Sequence, residues 1–320
     1  MIEYDSAWKE IIEELFEDFM LFFFPEIHTD IDWSKGYAFL DKELQKIIKS
    51  SETGRRHADK LAKVYLRDGS EKWLLIHVEV QGYEQAEFPE RMFVYNYRLF
   101  DKFKREVASL ALLTDENPNY RVSEYQRSRW GCEVIFRYPI VKLIDYRERW
   151  NELEVSSNPF AIAVMAYLKA LEARGNDHEK YTWKKHFLVE LYRRGLTREK
   201  ILALYKFIDW IITVPEELEN EIFEEVKAIE EATMPHITTA ERIGIKKGKQ
   251  EGIAESIATV HKVVGTVIEL KFGEAGQGLS ERTKKLRSLE VLQQLTERLK
   301  RASNMNEAEK IFDELELAQN

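Results

Sequence analysis

The sequence predicts an α/β domain followed by an all-α half. Two strand-like runs, His57–Arg67 and Lys72–Gln81, flank the turn cluster Asp68-Gly69-Ser70. Helical period then returns over Phe88–Phe103, and two further β-rich runs follow, Glu106–Leu113 and Cys132–Ile144. Beyond about residue 150 the strand signals stop while amphipathic helices continue. A chain of 320 residues also has room for about two domains, at roughly 100–200 residues each.

The elements follow in order. Trp8, Ile11, Ile12, Leu15, Phe16 and Phe19 recur at helical spacing, so residues 7–24 read as one amphipathic helix that Pro25 ends. A short helix is expected around Leu40–Ile48. In the hairpin, Leu74, Ile76, Val78 and Val80 form an apolar face, and Ala62, Val64 and Leu66 match it. The other parity carries His57, Asp59, Leu61, Lys63 and Tyr65 on one strand and Leu75, His77, Glu79 and Gln81 on the next. Beyond residue 150, Asn158–Arg174, His178–Arg194, Thr197–Val214 and Glu216–Glu231 read as helices, with Asn158-Pro159 a start signal. Gly244, Gly248 and Gly252 recur among lysines and predict a solvated helical linker. From Ile253 the apolar steps suit a short coiled coil or a small helical bundle equally well. The expected division is 1–150, 151–240 and 241–320.

Composition narrows the classes. The hydrophobic share of 44% and charged share of 33% describe a soluble chain with a core, and no apolar run approaches the roughly 18–20 residues of a membrane span. The acidic start lacks the pattern of a secretion signal, and a single cysteine, Cys132, favours a reducing cytoplasm. The net charge of −9 argues against indiscriminate coating of nucleic acid. That charge is unevenly spread: residues 1–50 hold 5 basic and 12 acidic side chains, whereas residues 51–105 hold 11 and 9.

The hairpin carries the chemistry. A three-residue loop from Asp68 to Ser70 pairs Arg67 with Glu71 and sets Asp59 directly opposite Glu79. Their Cβ atoms would then lie roughly 4.5–5.5 Å apart, where like charges destabilise a sheet unless a cation sits between them. Two carboxylates at that spacing suit Mg²⁺. Charged residues on a strand face are more often simply solvated, and His57 and His77 are more often hydrogen-bonded than metal-bound. No HExxH, CxxC, P-loop or nucleophile-elbow motif is present.

The segments Gly54-Arg55-Arg56-His57-Ala58-Asp59-Lys60-Leu61 and Trp73-Leu74-Leu75-Ile76-His77-Val78-Glu79-Val80-Gln81 resemble the Rpn family of recombination-promoting nucleases and transposases. That family belongs to the PD-(D/E)XK nuclease superfamily. Phe88 to Arg98, and Val107 to Thr114 with Asp115, also look like the family's next helix and strand. The resemblance covers roughly residues 1–150. The later helices are similar to those of cyanobacterial members, and residues 255–318 look like a small helical domain often attached to these nucleases.

The resemblance implies a restriction-endonuclease-like core, a mixed sheet flanked by helices, and a metal-dependent DNA endonuclease linked to recombination or mobile elements. Asp59 and Glu79 would bind Mg²⁺, with Mn²⁺ the alternative. Gln81 stands where the superfamily commonly has lysine; an amide can orient water but cannot titrate. Lys63 lies four residues from Asp59, on the order of 13 Å along a strand, and is a poor substitute. Arg56, Arg91 and Arg98 are candidate phosphate contacts, with Tyr95 on the same helix face as the last two. Glu10, Glu13, Glu14 and Glu43 compete to add a further acid. Cutting both strands in one encounter favours a homodimer through the C-terminal helices. The rival expectations are a catalytically weak DNA-binding or transposition-accessory protein, and a helical protein-interaction module.

Overall fold

A computed structural model describes residues 4–48, 58–69, 71–79, 86–233, 257–286, 289–302 and 304–317. Contact density divides the chain into two compact units, Glu3–Pro235 and His236–Asn320 (with Met1 and Ile2). Among the described residues no helix is long and apolar enough to cross a membrane.

The first unit holds a mixed sheet of five strands, β1 (Ala38–Phe39), β2 (Ala58–Tyr65), β3 (Glu71–Glu79), β4 (Val107–Leu113) and β7 (Ile140–Lys142), in the order β1-β2-β3-β4-β7. β1, β2 and β3 are antiparallel neighbours, whereas β4 and β7 join in parallel. Three short helices precede β1: α1 (Tyr4–Glu14), α2 (Phe16–Phe23) and α3 (Pro25–Asp30). The expected single helix over 7–24 is thus two, broken at Leu15, whose φ of −127° and ψ of 44° are not helical. α4 (Asp41–Ile48) leads into the hairpin, and α5 (Phe88–Phe103) returns from β3 to β4 as a parallel crossover requires.

The two sheet faces are filled differently. Leu61 and Trp73 pack with Tyr95 and Leu99 of α5, and Ala111 and Leu113 pack with Phe88 and Met92 from its first turns. Helix α5 therefore lies along the odd-numbered face of β2, β3 and β4, its start over their Glu79–Leu113 end. Helix α1 packs against β2 and β3. A separate two-stranded sheet, β5 (Glu124–Arg129) with β6 (Cys132–Arg137), rests on α5 through Tyr125 and Phe136, whose rings lie 5.1 and 5.8 Å from Phe93. The run Cys132–Ile144 is accordingly two strands: the Tyr138-Pro139 step separates β6 from β7, because proline supplies no ladder N–H.

The helices beyond residue 150 belong to this same unit. They are α6 (Trp150–Val155), α7 (Pro159–Glu172), α8 (Asp177–Arg193), α9 (Arg198–Ile211) and α10 (Glu216–Thr233). Helix α7 is apolar nearly all round and buried nearly all round, which is how such a helix must be housed. Trp8 of α1 meets Phe207 of α9 at 4.9 Å, Phe19 of α2 meets Phe160 of α7 at 5.4 Å, and the Tyr167 hydroxyl donates to the Thr114 carbonyl at 2.6 Å. Asn158 caps α7 as its sequence announces: its Oδ1 accepts from the Phe160 N–H at 2.9 Å.

The second unit is a small helical bundle, α11 (257–272), α12 (Gln277–Thr283), α13 (Leu289–Arg301) and α14 (Met305–Leu317). Val264, Ile268, Leu279, Leu292, Leu295, Leu299 and Phe312 share one core, so the apolar steps from Ile257 serve a bundle. The glycine-spaced segment from 244 to 252 lies outside the described residues.

Candidate functional site

The hairpin register differs from the expected one by two residues. Asp59 pairs with His77 and Tyr65 with Glu71, so the loop spans 66–70 and not 68–70. Leu66 makes a bridge with Ile31 instead, the Arg67 N–H donates to the Asp30 carbonyl, and Asp32 N–H donates to the Tyr65 carbonyl. These bonds draw Leu66 and Arg67 away from β3, and Gly69, at φ 88°, closes the wider turn. Glu79 is therefore diagonal to Asp59 and not directly opposite. A two-residue slip preserves parity, so both positions remain on the α5 face of adjacent strands. Diagonal neighbours have Cα atoms about 7–8 Å apart, with Cβ atoms somewhat closer.

Continuing along that rung, Glu79 pairs with Leu113 and Leu113 with Lys142. Two strand spacings, about 10 Å, separate the Glu79 and Lys142 positions. The Lys142 Nζ is buried and donates to Asp115 Oδ1 at 2.5 Å and to the Tyr120 carbonyl at 3.2 Å. Burial pulls the Lys142 pKa below the usual lysine range, against the opposing pull of Asp115. Asp115 Oδ1 also accepts from the Asn117 N–H, while its buried Oδ2 has no hydrogen-bond partner. This ion pair ties β7 and the 114–120 segment to the end of β4. The lysine is committed there and does not take the place that Gln81 leaves.

Helix α5 brings its arginines to opposite ends of this face. Arg91 sits near the Glu79–Leu113 end, 5.5 Å from the centroid of the Phe88 ring. Its charge also reaches Tyr138, whose pKa burial raises, Tyr120 raises further and Arg91 lowers. Arg98 lies seven residues on, about 10 Å along the helix. One buried terminal nitrogen of Arg98 has no hydrogen-bond partner. Tyr95, between them, is buried against Leu61 and Trp73, so this side of α5 faces the sheet and is not a solvated face.

Three of the four competing glutamates are engaged elsewhere. Glu13 pairs with Lys60, and Glu10 and Glu14 pair with Lys206. Burial works against the Lys60 charge, but hydrogen bonds to Glu13 and Asp41 outweigh it and hold its pKa above the ordinary value. Glu43 lies on α4, whose Leu44 joins the core beneath α5. Arg56, His57 and Gln81 lie outside the described residues.

No protein-family model, curated protein or solved structure matches this chain. Among the described residues no group of three or more His, Cys, Asp or Glu side chains could hold a metal. Asp59 and Glu79 enter through strand register alone. Strand register puts positions 59 and 79 diagonal on adjacent strands, and Mg²⁺ in general takes one or two carboxylates and keeps several waters.

Sequence reasoning gave Asp115 and Lys142 no role. The available signal was a lysine inside the apolar run Ile140-Val141-Lys142-Leu143-Ile144, where a buried charge demands a partner. Nothing local named that partner, 27 residues away.

Proposed function

We propose that the chain is a Mg²⁺-dependent DNA endonuclease that hydrolyses phosphodiester bonds. The observation that carries this reading is the placement of Asp59 and Glu79 on one face of adjacent strands, at the end where α5 begins. The mixed sheet flanked by helices, and the resemblance of residues 54–61 and 73–81 to Rpn-type nucleases, support it.

Asp59 and Glu79 would hold the cation, and Glu43, the one competing glutamate with no ion pair among the described residues, would complete the set. A cation bound there would supply a lowered pKa for the attacking water and charge stabilisation at the scissile phosphate. Gln81 orients that water through its amide and passes no proton, so the proton leaves to solvent. Water oxygen bonds to phosphorus as the bond to the leaving sugar oxygen breaks, and that oxygen takes a proton from solvent. Arg91 at the same end supplies positive charge to the phosphate, and Arg56 precedes the first acid in sequence. Arg98, two helical turns away, has a buried terminal nitrogen and lies on the side of α5 that faces the sheet, so it is set aside as a phosphate contact. Protein containing Asp59 and Glu79 should nick supercoiled plasmid in Mg²⁺ or Mn²⁺ and not in EDTA, and Asp59→Ala or Glu79→Ala should abolish nicking. Equal nicking by the wild type and both variants would remove this site from consideration. DNA retention without cleavage would favour the binding-only protein, for which the replacement of lysine by Gln81 is the motivating feature.

A further inference from the structure

The β5–β6 hairpin ends in a two-residue turn, Trp130-Gly131, with φ of 51° and 84°. Positive φ at both central residues is the tight hairpin geometry that favours Asn-Gly. Tryptophan is a poor occupant, because a bulky side chain rarely adopts the left-handed region. Packing does not compensate for it: Trp130 is 93% exposed, and its described contact is the Arg129 guanidinium, 4.8 Å from the ring centroid. Fold stability thus gives no reason for tryptophan at this position.

The surrounding charge indicates what the ring meets. Cross-strand pairs Tyr125–Phe136, Arg127–Val134 and Arg129–Cys132 share one hairpin face. Its first pair rests on Phe93 of α5, and Tyr97, half exposed, stacks on Phe93 at 6.2 Å. The two hairpin acids are engaged, Glu124 by Arg137 and Glu133 by Gln126. Arg127 and Arg129 form no ion pair among the described residues. An exposed ring between cations that lack protein counter-charges is complementary to a strand of nucleic acid, in which bases offer π faces and phosphates offer charge.

We infer that the hairpin tip is a single-strand DNA contact, with Trp130 stacking on a base and Arg127 and Arg129 meeting phosphates. The inference rests on the proposed DNA substrate for the identity of the polymer, but not on cleavage.

Binding of a fluorescein-labelled oligodeoxythymidine, followed by anisotropy in EDTA, separates the two proposals. Trp130→Asn restores the favoured turn residue, so it should melt no lower than the wild type yet bind about ten-fold more weakly. Trp130→Phe keeps a stacking ring and should retain most of the affinity. The double variant Arg127→Gln/Arg129→Gln should flatten the salt dependence of binding by about 1.4 in log–log slope. A bimane on Cys132, the chain's single cysteine, should change its emission when the oligonucleotide binds. Undiminished binding by Trp130→Asn overturns the inference even if plasmid is cut in Mg²⁺. Weakened binding by that variant, with no plasmid nicking by wild type, supports the hairpin contact and overturns the nuclease. Failure of the wild-type chain to bind the oligonucleotide, or capture of a protein at the hairpin instead, overturns the hairpin contact.

Discussion

Lys142 and Asp115 form a buried pair at the end of β4, and a pair of that kind is costly to break from one side. Lys142→Met leaves the Asp115 carboxylate in the interior without its cation, which should cost about 3–5 kcal/mol. The double variant Lys142→Met/Asp115→Leu should recover much of that loss in urea unfolding, because two apolar groups need no partners. A further residue-scale test concerns Glu219. It accepts from the buried Lys184 Nζ at 2.7 Å, with Asp209 on the same nitrogen at 2.6 Å. Burial raises the Glu219 pKa, Lys184 lowers it, and the neighbouring Asp209 raises it. A raised acid is stabilising below its unfolded pKa, and that contribution is lost as pH rises through the folded value. Thermal melting should therefore favour wild type over Glu219→Gln in acid and swing toward the variant as pH rises. A difference independent of pH would contradict the assignment.

At the scale of elements, the Asn158 cap and several periodic helices were legible because their information is local, whereas the Asn176 cap of α8 was not foreseen. Phe88–Phe103 carries its helical period in its own residues, and Asn158-Pro159 is its own start signal. Asn158 also donates from Nδ2 to the Asp18 carbonyl at 3.0 Å, tying α7 to α2. Asn158→Ala should consequently cost about 1–2 kcal/mol, at the upper end for a cap, and lower the melting temperature by several degrees. Two elements were hidden for opposite reasons. β5, Glu-Tyr-Gln-Arg-Ser-Arg, has no apolar alternation because its outer end is exposed, and its turn opens on tryptophan in place of the asparagine that marks such hairpins. The β2–β3 register was set by the Ile31–Leu66 bridge, which no inspection of the turn residues could reveal. The face shared by Asp59 and Glu79 survived this error because parity depends only on alternation. Their direct opposition did not survive, because it depends on loop length.

For the whole molecule, the change of pattern near residue 150 marks a change of secondary structure without a change of body. Trp8, Phe19 and Phe23 of the first helices are completed by Phe160, Tyr167 and Phe207 from beyond it. Ending the chain at 150 would expose these apolar faces, at roughly 2 kcal/mol for each large side chain uncovered. Such a fragment should aggregate and lose cooperative melting. Ending it at 235 removes only the bundle unit, whose buried core is drawn from its own helices. Residues 1–235 should therefore melt cooperatively and, under the proposed function, nick plasmid in Mg²⁺. If the C-terminal helices build the dimer, light scattering should find that fragment monomeric and the full chain dimeric. Dimeric behaviour of 1–235 would move the self-association surface onto the α/β unit. Loss of cooperative melting in 1–235 would show that the first unit depends on the bundle for its stability.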